Sequence, residues 1–136
     1  MNGTAEYTGG WVDPIYGNWK FTEFPKTSRA ILFLGDIAPL LCPDRLVELP
    51  LDDIAYWGMN LPSLQGDNCS CCGGVRYREC DPKYPGIITN ASNPFGKKYR
   101  LLDGKHRMQR LIHSGASVGK FYLFDFEELK PYFLLR

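Results

Sequence analysis

Lys105, His106 and Arg107 follow directly on Asp103-Gly104, which closes the apolar run Tyr99 to Leu102. Three adjacent basic side chains behind a turn are suited to holding an anion. Tyr99, Leu101 and Leu102 have the bulky apolar character of a strand, and Asp-Gly signals a turn. The spacing predicts a helix over 105–114 with Met108, Leu111 and Ile112 on its apolar face. The basic trio then occupies the first helical turn, where backbone N–H groups already carry partial positive charge and disfavour further cations. A phosphate or carboxylate at that point removes the conflict, because N–H groups and basic side chains converge on it. Gly104 lets the backbone come close, and the Arg107 guanidinium fork matches phosphate oxygens. His106 orients the phosphate or the neighbouring arginine, or else caps the helix. Asp103 is a general base, a metal ligand, or simply the turn residue that Asp before Gly commonly is. His113, on the same helical face, reads first as surface cover and second as a metal ligand.

The cysteines form the second group with possible chemistry. Four of the five, Cys69, Cys71, Cys72 and Cys80, fall within one short stretch. Two thiolates one or two residues apart reach one tetrahedral ion, and a later cysteine closes the site, so structural Zn²⁺ is one reading. Coordination would also supply folding energy to a segment rich in Gly, Pro and Asn. The spacing lacks the paired C-x2-C pattern, and adjacent Cys71 and Cys72 do not readily share an ion. Reduced thiols and a disulfide remain the other readings. Cys42 reads as buried and inert.

The elements that must position these groups follow from pattern and breakers. Residues 1–44 form an aromatic, Gly-rich arm and apolar segment expected to pack on the core, with Trp11, Tyr16 and Trp19 as its anchors. Stacking of these rings on bases is the other use. Arg29 to Leu41 is a strand with a turn or a helix, and Pro39 and Pro43 argue for a break. Residues 45–136 form the domain proper, with a Cys-rich insert at 66–81. Its expected elements are strand Leu46 to Pro50, a short helix Asp52 to Trp57, strands Gly86 to Thr89 and Tyr99 to Leu102, the motif helix, strand Lys120 to Phe126, and a helix or turn from Glu127.

The run YRLLDGKHRMQRLIHSG followed by KFYLF resembles the core of the ParB/sulfiredoxin superfamily, in which a strand, Asp-Gly or Gly-Gly and a His-Arg or Arg-Arg pair open a helix. Upstream, RLVELPLDDI is similar to that family's first strand. The resemblance implies a compact α/β (α+β) fold with a small mixed sheet and few helices. It also implies a nucleotide or phosphate site at Gly104, Lys105, His106 and Arg107, with ATP or CTP and Mg²⁺ as expected cofactors. Two departures narrow it. Lys105 stands where sulfiredoxins carry the catalytic cysteine, which disfavours thiol-based repair. The further motifs and the helix-turn-helix of chromosome-partitioning members do not follow Arg107. Small free-standing members that resemble this turn best include nucleotide-dependent kinases and nuclease-like proteins. Such kinases use an acid from an earlier segment, for which Asp52, Asp53 and Glu79 are candidates here.

With 136 residues and 44% hydrophobic content, the chain is expected to bury one core. Sixteen Lys and Arg against 15 Asp and Glu give a net charge of +1, which supplies no global pull toward nucleic acid. Basic character is local, densest at Lys97, Lys98, Arg100, Lys105, His106, Arg107 and Arg110. No apolar run approaches the ~20 residues that span a bilayer, and the first residues lack signal-peptide order, so a cytoplasmic protein is expected. Asn-x-Ser/Thr triplets at Asn2, Asn68 and Asn90 carry no weight without secretion. The first expectation is therefore a nucleotide- or phosphate-binding domain, as phosphotransferase or NTPase, with catalytic Asp103 and His106. The alternative is a non-enzymatic module that binds DNA or a protein partner. A metal-dependent nuclease needs clustered carboxylates that the sequence does not place.

Overall fold

In the computed structural model, residues 11–12, 21–25, 30–56, 59, 75–81 and 84–135 are described. The strands, in chain order, are β1 (Trp11–Val12), β2 (Ala30–Phe33), β3 (Leu46–Pro50), β4 (Ile54–Ala55), β5 (Gly86–Thr89), β6 (Tyr99–Asp103), β7 (Val118–Phe124) and β8 (Phe133–Leu135). The helices are α1 (Leu34–Ile37), α2 (Val75–Glu79), α3 (Lys105–His113) and α4 (Phe126–Leu129). The α+β class expected from the sequence is the class observed, with a mixed five-stranded sheet at its centre.

That sheet has the order β3-β7-β5-β6-β4. β7 is antiparallel to β3 and parallel to β5, β5 is antiparallel to β6, and β6 is parallel to β4. A second, three-stranded sheet has the order β1-β2-β8 and is antiparallel throughout. Residues 30–33 and 133–135 are thus joined as neighbouring strands.

Strand alternation divides the core in two. On one face of the five-stranded sheet, Ile87, Leu102 and Phe124 pack with Leu32 and Phe133 of the second sheet and with Phe21, Ile37, Phe126 and Leu129. The Phe21 ring lies 5.2 Å from Phe126 and 5.0 Å from Phe133, within the range of favourable aromatic pairs. On the other face, Ile88 and Phe121 pack with Met108 of α3 and with Leu51, Ile54 and Tyr56. The motif helix is therefore held by the second core, through Met108 and Leu111.

Two expectations need correction, and one open alternative is resolved. The helix expected over Asp52 to Trp57 is a 3₁₀ turn, Leu51–Asp53, followed by β4; Trp57 lies outside the described residues. Two acids after Pro50 mimic a helix start, but parallel pairing of Ile54 with Tyr99 and of Ala55 with Arg100 draws the chain into the sheet. The last long strand ends at Phe124 rather than Phe126, because Asn90 accepts the Phe126 N–H at 2.8 Å and starts α4 there. Of the stretch Arg29 to Leu41, Arg29 lies outside the described residues, and residues 30–41 contain both alternatives in succession, β2 and then α1.

Candidate functional site

The Asp103-Gly104 turn is built by close backbone approach. β5 and β6 slip register between Ile87 and Ile88, a bulge of the kind that bends a strand and re-aims its end. Gly86 then lies so near that a Cβ on it would meet the Asp103 carbonyl oxygen at 2.9 Å. Gly104 has φ +106° and ψ +23°, a region that side-chain-bearing residues rarely adopt. Its own Cβ would meet the Gly86 Cα at 3.1 Å and the Arg107 Nε and Nη2 at 3.5 Å. The space above Gly104 is therefore occupied by Arg107.

Gly104 is the N-cap of α3, so no side chain caps the helix from that position, and the first turn carries no acid. The Met108 N–H donates to the Gly104 carbonyl at 2.8 Å. Lys105 and His106 are partly exposed. Arg107 is only 7% exposed, and its Nη2 donates to Asp103 Oδ2 at 3.3 Å, long for a charge-assisted contact. Four expected site residues, Asp103, Lys105, His106 and Arg107, are thus gathered around Gly104. Arg107 is more enclosed than a surface phosphate ligand, and the neighbouring Asp103 partly offsets its charge.

The helix ends in a Schellman arrangement. Gly115 has φ +88°, its N–H donates to the Ile112 carbonyl at 3.0 Å, and the Ala116 N–H donates to the Leu111 carbonyl at 3.0 Å. Ile112, expected on the buried face, is 38% exposed, while Gln109 is fully buried. The buried side of α3 comprises Arg107, Met108 and Gln109.

Several groups with sequence-level chemistry have structural partners instead. Arg110 Nη1 donates to the carbonyls of Arg78 and Cys80, each at 3.1 Å, and so caps the C-terminal end of α2. His113 Nδ1 and the Tyr77 hydroxyl are hydrogen-bonded at 2.7 Å. Arg100 faces the first core at 3% exposure, with Nη1 donating to the Ser92 carbonyl at 2.9 Å and its guanidinium 4.0 Å from the Phe21 ring centre. Burial pulls its pKa down to about 10, against the opposing pull of Glu23, so it stays charged at neutral pH. Lys98 reaches Asp53 at 3.8 Å. Of the densest basic segment, Arg100 and Arg110 are committed to the fold.

Cys80 lies beside the motif, within the field of Arg110 and Arg107. Burial pushes its thiol pKa up more strongly than the two arginines lower it, and Sγ donates to the Tyr77 carbonyl at 3.3 Å. Cys69, Cys71 and Cys72 lie outside the described residues. Among the described residues no group of three or more His, Cys, Asp or Glu is placed to hold a metal ion. Cys42, expected to be buried, is only partly so, and it and Cys80 are free thiols.

The acids proposed as an earlier base are dispersed. Asp52 lines a cleft at the far end of α3, about 13 Å along a nine-residue helix from Gly104. Asp53 is engaged by Lys98, and Glu79 is exposed at the end of α2. Asp103 is therefore the acid that the turn itself carries.

One functional-looking residue was not singled out from sequence. Arg45 makes a bidentate pair with Glu128, at 3.0 and 2.9 Å, and stacks 4.2 Å from the Phe124 ring centre. Its partner lies 83 positions away, which no local pattern signals. No helix among the described residues is long and apolar enough to cross a membrane. Comparison with protein-family models, curated proteins and solved structures gives no match, so the likeness to ParB and sulfiredoxin rests on the quoted residues.

Proposed function

We propose that the chain is a phosphate-binding α+β domain that takes a nucleotide at the Gly104 to Arg107 turn, with phosphoryl transfer or hydrolysis as its chemistry. The observation that carries this reading is the start of α3, where a glycine N-cap and a first turn without acids present Lys105 and His106 partly exposed at the positive end of the helix. Lys105 would neutralise phosphate charge, and His106 would donate to a phosphate oxygen or transfer a proton. Asp103 would hold Arg107 in place and, with Mg²⁺, would face the transferring group. Arg107 would act mainly by fixing the turn, since it is buried and paired.

The reading as a DNA-binding module has less support, because Arg100 and Arg110 are used internally. Calorimetric titration with ATP, ADP and CTP in the presence of Mg²⁺ tests the first reading. Binding that weakens about tenfold in Lys105→Ala is expected, equivalent to the loss of one charge-assisted contact. Arg107→Ala serves as a second variant, accompanied by a melting curve because the side chain is buried. Absence of heat with every nucleotide on the folded wild-type protein would remove the idea.

A further inference from the structure

A cleft of about 300 Å³ opens at the edge of the five-stranded sheet, at the end of α3 remote from Gly104. Its walls are Leu51, Ile54, Met59, Ile112 and Ala116, and its polar groups come from Tyr56, Lys97, Asp52 and Ser117. Apolar walls with a few polar groups are the usual composition of a small-molecule site, and this volume is at the lower end of such sites.

Two observations set this cleft apart from an ordinary surface dent. Tyr56 lines it at only 5% exposure, yet its hydroxyl makes no hydrogen bond among the described residues. The ring is enclosed while the hydroxyl reaches the cleft, where its O–H is available to an acceptor on a ligand in place of water. Lys97 likewise forms no ion pair among the described residues, although its neighbour Lys98 does. Its backbone is fixed from both sides. Asn93 Nδ2 donates to the Lys97 carbonyl at 2.9 Å, and the Lys97 N–H donates to Asn93 Oδ1 at 3.1 Å. The cleft floor is tied by the Leu51 N–H donating to the Ser117 carbonyl at 2.9 Å. The walls therefore come from hydrogen-bonded elements that hold the cleft open in advance.

We infer that this cleft binds a small monocarboxylate with an apolar body, its carboxylate received by Lys97 and the Tyr56 hydroxyl and its hydrocarbon or aromatic part laid against Ile54, Met59 and Ile112. Asp52 on the rim selects against ligands with a second negative charge, such as a nucleoside phosphate. Exposure of Ile112, which the core leaves on this side, supplies the apolar wall. The site is separate from the Gly104 turn, so it stands whether or not that turn binds phosphate.

The test is an NMR titration of the full chain with 3-phenylpropionate, 3-phenylpropylamine and inorganic phosphate. The acid is expected to bind with Kd on the order of 1 mM and to shift the methyl signals of Ile54, Met59 and Ile112. Lys97→Gln should weaken it about threefold to fivefold, as for a partly exposed ion pair, and Tyr56→Phe about fivefold. Both variants keep the side-chain volume, and their melting curves check the fold. The inference is overturned by any of four results: no shift up to about 10 mM acid, equal binding of acid and amine, phosphate shifting the cleft as strongly as the acid, or acid shifts confined to residues 104–107.

Discussion

Replacing Gly104 by alanine probes the turn on which both the fold and the proposed anion site depend. The residue sits at φ +106° and ψ +23°, so a Cβ brings left-handed strain of about 1–2 kcal/mol. The added Cβ also meets the Gly86 Cα at 3.1 Å, and because that neighbour is backbone it cannot rotate away. Local overpacking of this kind adds at least about 1 kcal/mol. Lower entropy of the unfolded chain returns about 0.4–1 kcal/mol, leaving a net loss of about 2 kcal/mol. Gly115→Ala is the matched control, with φ +88° but nothing within 4 Å of its Cβ, and should cost about 1 kcal/mol. For a chain of this length each kcal/mol lowers Tm by about 4 °C, so the two variants should melt about 8 °C and about 4 °C below wild type. Urea titration followed by circular dichroism gives the free energies directly. If Gly104→Ala proves no less stable than Gly115→Ala, the contact with Gly86 carries no weight; if neither loses stability, the backbone argument fails altogether.

Arg45 and Glu128 should behave unequally. The Arg45 hydrogen bonds hold the Glu128 carboxyl below its ordinary pKa of 4.5, so the pair stabilises the fold above that value and loses its effect as pH falls through the lower folded value. Because Glu128 is largely exposed, Glu128→Gln should cost under about 1 kcal/mol at pH 7 and nothing at pH 2 in thermal melts. Arg45→Ala should cost about 2 kcal/mol, since it also removes packing on Phe124 and the bond that Nε donates to the Leu40 carbonyl at 3.0 Å. Equal losses would show that the ion pair alone matters. Arg110→Ala should raise amide hydrogen exchange across 75–80 about tenfold, the equivalent of ~1.4 kcal/mol, with little change in β5. Unchanged exchange there would refute Arg110 as the group that secures α2.

The parts of this fold that could be read in the sequence are those fixed by neighbours along the chain. β3, β5 and the motif helix fall where apolar alternation, Gly and Asp-Gly put them, within a residue of expectation. β4 could not be read, because Ile54 and Ala55 become a strand only through pairing with residues some 45 positions later, whereas Asp52-Asp53 locally mimics a helix cap. The same division runs through the candidate site. Asp103, Gly104, Lys105, His106 and Arg107 are contiguous, so a turn and a helix suffice to gather them. Sequence treats all charges in a basic run alike, but Arg100 lies within β6 on the face that also carries Leu102 and so enters the first core, whereas Lys98 precedes the strand and reaches Asp53 at the surface. Arg110 points at α2 for the corresponding helical reason, a few residues along from Arg107 on the side of α3 that α2 covers. A charge cluster counted in one dimension thus resolves into two buried guanidinium groups, Arg100 and Arg107, the helix cap Arg110, the surface ion pair of Lys98, Lys97 on the cleft and the two partly exposed groups at the start of α3. Of that basic cluster, Lys105 and His106 are the residues that stand partly exposed at the start of α3, and the proposed phosphate site rests on them.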